Sequence, residues 1–398
     1  MPTSPHPPRT LSVGAALRIY YFASFAAFGV YLPFLPAWLA EQGLHGLEMS
    51  AIVALRSGFG MISPIVFGLI ADTFGLRGSL LRLACGVCAL SFRVLALLAG
   101  AGVSLGFGLL FALLTLFSLC RTPMSTLADV TAMQAAGVDY GRVRLWGSFG
   151  FMVVALGAGS LLDAASLIEL PLAMTVGLSI ALITAFALPP SSGPPPRPAW
   201  ADARRLLKTP PFRWLLLTVF LWQAGHASYD LGISLHLYDL GAAGSTVGAA
   251  WSIGVVAEIA VMAASSALLR RLGAANLLLL GVAGSAVRWW AISSTDSVAQ
   301  LLWLQPLHGL SFGAVWVAAL ELVRRRAPAH IWASAQGLSS AAMATGATAG
   351  MLVWGPVYER AGGAALFGFA AIVATAASVM ALLARHDRGA ELAPSLQP

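Results

Sequence analysis

Apolar side chains run along this chain in long blocks, separated by short polar or basic stretches. A helix needs about 20 mostly apolar residues to cross the hydrocarbon core of a bilayer, and twelve blocks approach that length. The pattern therefore predicts an all-α membrane protein with twelve transmembrane helices. The predicted spans are 17–39, 50–70, 80–98, 105–127, 145–162, 167–188, 212–235, 246–268, 277–292, 301–322, 334–353 and 364–383.

Basic residues are distributed very unevenly between the two sides of these helices. Of the 23 Lys and Arg residues, 18 fall in the tails and in alternate connections on one side, whereas the opposite connections hold only Arg360. The other four, Arg56, Arg93, Arg121 and Arg288, lie inside or at the edge of predicted helices. Short basic loops stay on the cytoplasmic side, so we predict cytoplasmic termini and a multi-pass position in the inner (plasma) membrane.

The composition excludes several classes of protein. Only 10% of the residues are charged and 58% are hydrophobic, whereas an average soluble domain carries about 25% charged residues. The net charge of +7 resides in the basic loops, so we predict no nucleic-acid partner. Cys85 and Cys88 lie in an apolar helix with only Cys120 left over, which favours buried thiols over a metal or disulfide site.

The segment 189–211 divides the chain into two parts. It reads PPSSGPPPRPAWADARRLLKTPP, in which prolines block helix continuation and the basic residues favour the cytoplasmic side. We therefore predict an amino-terminal bundle of six helices at 1–188, a cytoplasmic linker at 189–211 and a second six-helix bundle at 212–398. Repeated halves of this kind rock against each other around a site near the membrane midplane.

The turn after the second predicted helix carries a recognisable motif. It reads GLIADTFGLR from Gly68 to Arg77 and resembles the signature loop of the major facilitator superfamily, with Gly68, Asp72, Gly75 and Arg77 in register. Thr73 stands where the superfamily usually has a basic residue. The resemblance implies the major facilitator fold, with these four residues acting as a conformational latch.

Five further runs, spread over both halves, resemble the phenylpropionate permease family within that superfamily. That family is related to the proton symporters of the lactose permease type. The runs are GVYLPFLPAWL from Gly29, DYGRVRLWGS from Asp139, WSIGVVAE from Trp251, VRW from Val287 and QPLHG from Gln305. The resemblance implies alternating access and the import of a small organic solute with protons, but it leaves the solute open.

Ionisable residues in the predicted eighth to tenth helices are candidates for proton coupling. Glu258 lies mid-helix, where a charge is costly unless it faces a wet cavity or a partner, so it either binds and releases a proton or is a permanently paired structural carboxylate. His308 follows Arg288 by twenty residues, the spacing found in the lactose permease group, and is either a second proton carrier or a histidine bonded to a helix backbone. That group has a glutamate where Ser311 stands here.

Several residues are candidates for binding the solute. The guanidinium of Arg144, or that of Arg288, could bind a carboxylate with two hydrogen bonds, although Arg144 could equally be a positive-inside anchor. Asp129 could pair with Arg144 or line the same cavity. Phe151 stands where the lactose permease has a sugar-stacking tryptophan, so the resemblance favours an aromatic or carboxylated solute over a sugar. We also include Gln305, from the QPLHG run.

The predicted seventh helix carries one polar stripe on an otherwise apolar rod. Gln223, His226, Tyr229 and Asp230 recur at helical spacing, so their side chains share a face. We expect this face to line the cavity, with Asp230 taking part in proton coupling. The arginines at 56, 93 and 121 are explained about as well by site roles as by snorkelling or interhelical hydrogen bonds.

These features favour a secondary transporter, which we expect to be a monomer without a cofactor. The leading hypothesis is proton-coupled symport of a small organic solute such as a phenylpropionate-type aromatic carboxylate. The alternatives are a nucleoside or oligosaccharide proton symporter, and a non-transporting membrane sensor with the same fold. We predict no enzyme, because neither a His-Glu zinc motif nor a Gly-x-Ser-x-Gly nucleophile turn occurs.

Overall fold

A computed structural model describes residues 12–135, 137–165, 169–188, 205–328 and 331–386. These residues are almost entirely helical, and no strand occurs among them. The first six helices are α1 Val13–Glu41, α2 Gly46–Phe74, α3 Arg77–Gly100, α4 Phe107–Gln134, α5 Tyr140–Ala165 and α6 Leu170–Ala185. The next three are α7 Pro210–Asp239, α8 Gly244–Ala263 and α9 Ala274–Ser293, with a short helix Ser265–Leu272 between α8 and α9.

The last three helices are less regular. α10, residues 298–326, consists of Val298–Trp303, a turn, a π-helical segment Gly309–Ala314 and Val315–Arg326. The continuous stretch Trp332–His386 is broken at Gly362, whose φ of 73° lies in the left-handed region, where glycine is tolerated best. The break divides it into α11, 332–361, and α12, 363–386.

The predicted all-α membrane fold is confirmed. Eight helices among the described residues are long and apolar enough to cross a membrane, and one of them, Ser334–Arg385, covers both α11 and α12. The other three helices do not meet these criteria of length and hydropathy: α6 has only 16 residues, α7 carries the polar stripe, and α10 is broken. Large apolar side chains such as Leu69, Leu90 and Ile372 are exposed on the outer surface, as a lipid-facing surface requires.

Two predicted spans differ from the structure in their interior. The eighth span was wrong beyond Ala263, because the chain there leaves α8 and begins the short helix Ser265–Leu272. The tenth span was wrong as one continuous helix, because Pro306 lacks the backbone N–H that a helix interior needs. By contrast, Pro33 and Pro36 lie within α1 without interrupting it.

Helix packing groups α1–α6 and α7–α12. Within the amino-terminal half, α1 packs on α5 and α6, while α4 packs on α2 and α3. Within the carboxyl-terminal half, α7 and α9 pack on the α11–α12 pair, and α8 packs on α10. The predicted linker lies outside the described residues from 189 to 204, so the proposed boundary between two bundles stays a prediction.

The two halves meet closely at one face of the molecule. We call the face where α2 turns into α3 and where Arg324, Arg325 and Arg326 end α10 the basic face, and the other the opposite face. Towards the opposite face, α5 crosses α8 and α2 crosses α11. A Cβ on Gly248 would overlap the carbonyl oxygen of Ala155, and one on Gly355 would overlap that of Gly46. Glycine at these crossings therefore allows backbone contact between the halves.

Asp163 adds a polar contact between the halves at the opposite face. Its carboxylate accepts hydrogen bonds from the backbone N–H groups of Gly244, at 2.5 Å, and Ser245, at 2.9 Å, in the first turn of α8. Slight burial raises the pKa of Asp163, but these hydrogen bonds outweigh it and leave the pKa below the usual value. The contact is therefore complete above the usual aspartate pKa of about 3.9 and is lost as the pH falls through the lowered value.

Replacing Asp163 with Asn is expected to loosen the opposite face. The amide keeps one acceptor but loses the charge. We estimate that this weakens the exposed contact by about 1 kcal/mol, which lowers the ratio of closed to open molecules about fivefold. Pulsed EPR distances between spin labels at the opposite-face ends of α5 and α8 would measure that ratio. Glu169→Gln, an exposed carboxylate at the start of α6 with no side-chain capping bond, is the control. An unchanged distance distribution in Asp163→Asn would contradict the role assigned to this contact.

Candidate functional site

A cavity of about 600 Å³ lies between the two halves. Four helices of each half line it, namely α1, α2, α4, α5, α7, α8, α10 and α11. On α5 the lining residues run from Arg144, near the basic end, to Phe151, and on α8 they run from Trp251 to Met262. The glycine crossings beyond Phe151 and before Trp251 close the opposite face, so the cavity extends towards the basic face.

The polar stripe of α7 lies on the cavity wall. Gln223, His226, Tyr229 and Asp230 all line the cavity, and His226 Nε2 lies 3.9 Å from an oxygen of Asp230. The Tyr229 hydroxyl donates to Gln305 Oε1 at 3.0 Å. The stripe thus connects the cavity to a layer of buried polar groups behind it.

Glu258 and His308 face the cavity together from α8 and α10. Glu258 Oε2 lies 3.6 Å from His308 Nε2, and both residues line the cavity. The ring of His308 stacks on Phe312 at 5.2 Å between centroids. A carboxyl and an imidazole at this separation can share or exchange a proton directly or through one water molecule.

Arg288 lies one layer behind the cavity wall and is fully buried. Its guanidinium donates to Gln305 Oε1 at 2.8 Å and Ser311 Oγ at 3.1 Å, and NH1 lies 3.0 Å from His308 Nδ1. Arg288 and Gln305 therefore do not line the cavity themselves. They lie behind the lining residues His308 and Tyr229 and position them. His308 Nδ1 must accept in this contact, because a guanidinium can only donate.

The break in α10 directs His308 and Phe312 into the cavity. The π-helical segment Gly309–Ala314 follows directly after His308, and a π-bulge leaves a backbone carbonyl without its α-helical partner. The carbonyl oxygen of Ser311 accepts from Trp222 Nε1 at 2.8 Å and from Ser285 Oγ at 3.1 Å. These contacts satisfy the backbone at membrane depth, as a broken helix requires.

The amino-terminal half presents arginines and aromatic rings to the cavity. Arg144 lines the cavity with its Cζ 4.1 Å from the ring centre of Phe25. Asp129 is not a lining residue, and it accepts a hydrogen bond from the Tyr21 hydroxyl at 2.6 Å. No ion pair between Asp129 and Arg144 occurs among the described residues, so these two candidates do not pair directly, although both lie beside Tyr21.

An ion pair between the halves borders the cavity. Arg56 of α2 donates to Asp230 of α7 at 2.7 Å, and the two side chains are 25% and 11% exposed. Sequence reasoning left Arg56 undecided, because a lone arginine inside an apolar helix gives no sign of its partner. Arg93 is exposed, whereas Arg121 is buried on the cavity wall.

Aromatic rings from both halves meet at the inner end of the cavity. Phe151 of α5 approaches Trp251 of α8 at 6.4 Å between ring centres, and Trp251 lies 5.0 Å from Tyr229. Sequence reasoning did not select Trp251. The signal for it was its position two helical turns before Glu258, which places both on one face of α8.

The signature loop lies at the basic face, away from the cavity. Gly75 ends α2 in the left-handed region with a φ of 64°, and Arg77 donates to Gln134 Oε1 at 3.1 Å. The turn therefore joins the basic ends of α3 and α4. Gly68 lies within α2, and the side chain of Asp72 lies outside what the structure describes.

The sequence and fold were compared with known proteins. A family model described as the MFS_1 like family matches residues 15–369. The chain belongs to that family. It is 31% identical to a maltose permease of Geobacillus stearothermophilus, covering 95% of this chain and 97% of the relative. It is 30% identical to a probable 3-phenylpropionic acid transporter of Escherichia coli (strain K12), covering 90% and 94%.

Solved structures of transporters share the fold. The nucleoside transporter NupG superposes with a TM-score of 0.78 at 17% identity, covering 94% of this chain and 99% of NupG. The POT family transporter PepTSo gives 0.76 at 13% identity, covering 97% and 99%. The predicted superfamily and its relation to phenylpropionate permeases are confirmed. This MFS_1-like protein is thus a multi-pass membrane protein and a secondary transporter of a small solute.

Proposed function

We propose that this transporter carries a small aromatic carboxylate together with a proton by alternating access. The observation that supports the proposal best is the arrangement of charges across the cavity. Arg144 lines it from the amino-terminal half, and the Glu258–His308 pair lines it from the carboxyl-terminal half. An anion site and a proton site therefore face each other between the two parts that must move.

The proposed sequence of events starts with the cavity open to the cytoplasm. Because basic loops stay on the cytoplasmic side, we assign the basic face and both termini to the cytoplasm of the inner membrane. In that orientation the described conformation faces inward. The two six-helix bundles, 1–188 and 212–398, would then rock about the cavity, with Gly68, Asp72, Gly75 and Arg77 acting as the latch at the cytoplasmic helix ends.

Proton coupling follows from the cost of a charge in the membrane. Each unneutralised charge inside the bundle opposes closure around it. Arg144 would be neutralised by the solute carboxylate, and Glu258, aided by His308, by a proton. Only the doubly loaded carrier would then close readily, because ligands shift a conformational equilibrium only through their different affinities for the two states. Asp230 is a further proposed participant in proton transfer, through His226.

Purified protein in proteoliposomes is expected to accumulate radiolabelled 3-phenylpropionate when the outside is made acidic. Coupling to one proton supports about tenfold accumulation of the solute per pH unit, or 1.4 kcal/mol. When the pH gradient is collapsed, the solute concentrations inside and outside should therefore become equal. Empty vesicles and an excess of unlabelled solute are the controls. Uptake that ignores the pH gradient would refute proton coupling, and transport of any solute would exclude the non-transporting sensor.

An oligosaccharide is the second candidate solute. The maltose permease relative supports it, as do hydroxyl groups on the cavity wall at Ser57, Thr122, Ser125 and Ser148. Maltose and a nucleoside should be added as competitors in the same vesicles. Inhibition by maltose alone would favour the oligosaccharide, whereas inhibition by aromatic acids alone would favour the carboxylate.

A further inference from the structure

Arg121 is a buried arginine on the cavity wall that has no carboxylate partner in the part of the chain that the structure describes. It lies in the middle of α4, is 7% exposed and lines the cavity. Its one hydrogen bond among the described residues runs from NH1 to Ser125 Oγ at 3.1 Å. No Asp or Glu oxygen of the described residues lies within ion-pair distance of it.

Two other arginines at the cavity have partners of their own, although the Nε atom of each is without a hydrogen bond. Arg56 has Asp230 as its counter-charge, and Arg288 donates to neutral groups one layer behind the wall. An uncompensated buried charge is strongly destabilising. Among the described residues, Arg121 and Arg144 therefore give the amino-terminal wall two positive charges with no carboxylate within ion-pair distance, a surplus that an anion in the cavity would reduce.

Arg121 and Arg144 approach each other over one aromatic ring. The Cζ of Arg144 lies 4.1 Å, and that of Arg121 5.7 Å, from the centre of the Phe25 ring, and Arg121 also lies 4.8 Å from that of Phe28. Stacking on a ring fixes the plane of a guanidinium and leaves its N–H edge free to donate. Two such groups can each bind one oxygen of a carboxylate.

We infer that Arg121 and Arg144 together form a clamp for the carboxylate of the solute. The inference rests on the proposed function and names the part of the solute that each wall recognises. The body of the solute would extend to the opposite wall, where Trp251 and Phe312 present rings. Glu258 also lies on that wall, and once it has released its proton it would repel a second carboxylate on the solute. The expected class is an arylalkyl monocarboxylate.

Equilibrium binding without any pH gradient tests the clamp. The probes are 3-phenylpropionate and 3-phenylpropionamide, which has nearly the same shape but no charge, titrated calorimetrically into the purified full chain. The unsubstituted protein is expected to prefer the acid by at least about tenfold, the range of hydrogen bonds between charged groups. Arg121→Gln should reduce this preference about tenfold while the affinity for the amide changes by less than about threefold.

Two further variants complete the test. Arg121→Lys keeps the charge but not the paired N–H groups of the guanidinium. It should therefore retain part of the preference for the acid over the amide, even where Arg121→Gln folds poorly. Arg93→Gln, which removes an exposed arginine of the neighbouring helix α3, should change nothing. If the Arg121 variants lose affinity for the acid and the amide equally, Arg121 only packs on Phe28. If the unsubstituted protein shows no preference for the acid, the clamp is overturned.

Failure of the clamp and failure of the proposed function give different results. Binding without preference for the acid, combined with gradient-driven uptake, overturns the clamp alone. A preference for the acid that Arg121→Gln removes, combined with uptake that ignores the gradient, upholds the clamp and refutes proton coupling. Binding of neither probe overturns both the clamp and the aromatic carboxylate as solute.

Discussion

Replacing Glu258 with Gln is expected to abolish gradient-driven accumulation of the solute while leaving solute exchange close to normal. The amide keeps the shape of the side chain and a contact with His308, which lies 3.6 Å away, but it cannot bind or release a proton. Exchange of internal for external solute does not require the proton to leave. Net uphill transport does, because each cycle must return a carrier that has released its proton.

The measurement compares two assays in the same proteoliposomes. Under an imposed gradient of two pH units, the unsubstituted protein should accumulate solute up to about a hundredfold for one coupled proton, whereas Glu258→Gln should stay near equality. Counterflow of labelled against unlabelled solute should fall by less than about threefold, since only a neutral contact changes. Glu48→Gln, which alters an exposed carboxylate in the first turn of α2, is the control. Uphill accumulation by Glu258→Gln would exclude this residue as the proton carrier.

Breaking the Arg56–Asp230 pair is expected to produce the second large effect. The pair links α2 to α7 at the cavity, and both partners are mostly buried. Asp230→Asn leaves the guanidinium without its counter-charge, and loss of one partner of a buried pair costs about 3 kcal/mol. Since the pair joins the two halves, this cost falls on the described conformation and should slow transport by more than tenfold.

A double-mutant cycle separates the pair from its individual residues. Arg56→Asp and Asp230→Arg should each slow transport strongly, whereas the double variant with both substitutions, which exchanges the two charges, should recover part of the rate. The cycle measures a coupling energy that distant residues do not share. If Asp230→Asn transports at the original rate, the ion pair is not needed for the movement of the halves. The same conclusion follows if the effects of the two single substitutions simply add in the double variant.

The elements of the fold were predictable because the bilayer restricts them so strongly. In hydrocarbon every backbone N–H and C=O must be bonded within the chain, so long apolar blocks could only be helices, and the motif after α2 pointed to the superfamily. The break in α10 was harder to see. Pro306 was visible in the sequence, but the π-helical segment is accompanied by hydrogen bonds to the Ser311 carbonyl from Trp222 and Ser285 on two other helices.

Individual residues of the site were partly predictable. The spacing of Gln223, His226, Tyr229 and Asp230 placed them on one face of one helix, and the structure puts that face on the cavity. The position of Arg288 behind the wall was not readable in this way, since an arginine in a helix gives no distance to the cavity. The same holds for Arg121, which resembles Arg93 in sequence context but lies on a buried surface.

The sequence by itself determined the class of protein, the helical elements and the uneven placement of basic loops, because these depend on hydrophobicity, helix period and loop charge along a single chain. Only the tertiary structure decided which rare charges meet: Arg56 with Asp230, Glu258 with His308, and Arg121 with Arg144 over Phe25. Each of these pairings joins residues of different helices. Such contacts depend on the rotation and crossing of packed helices, and neither is encoded in local spacing.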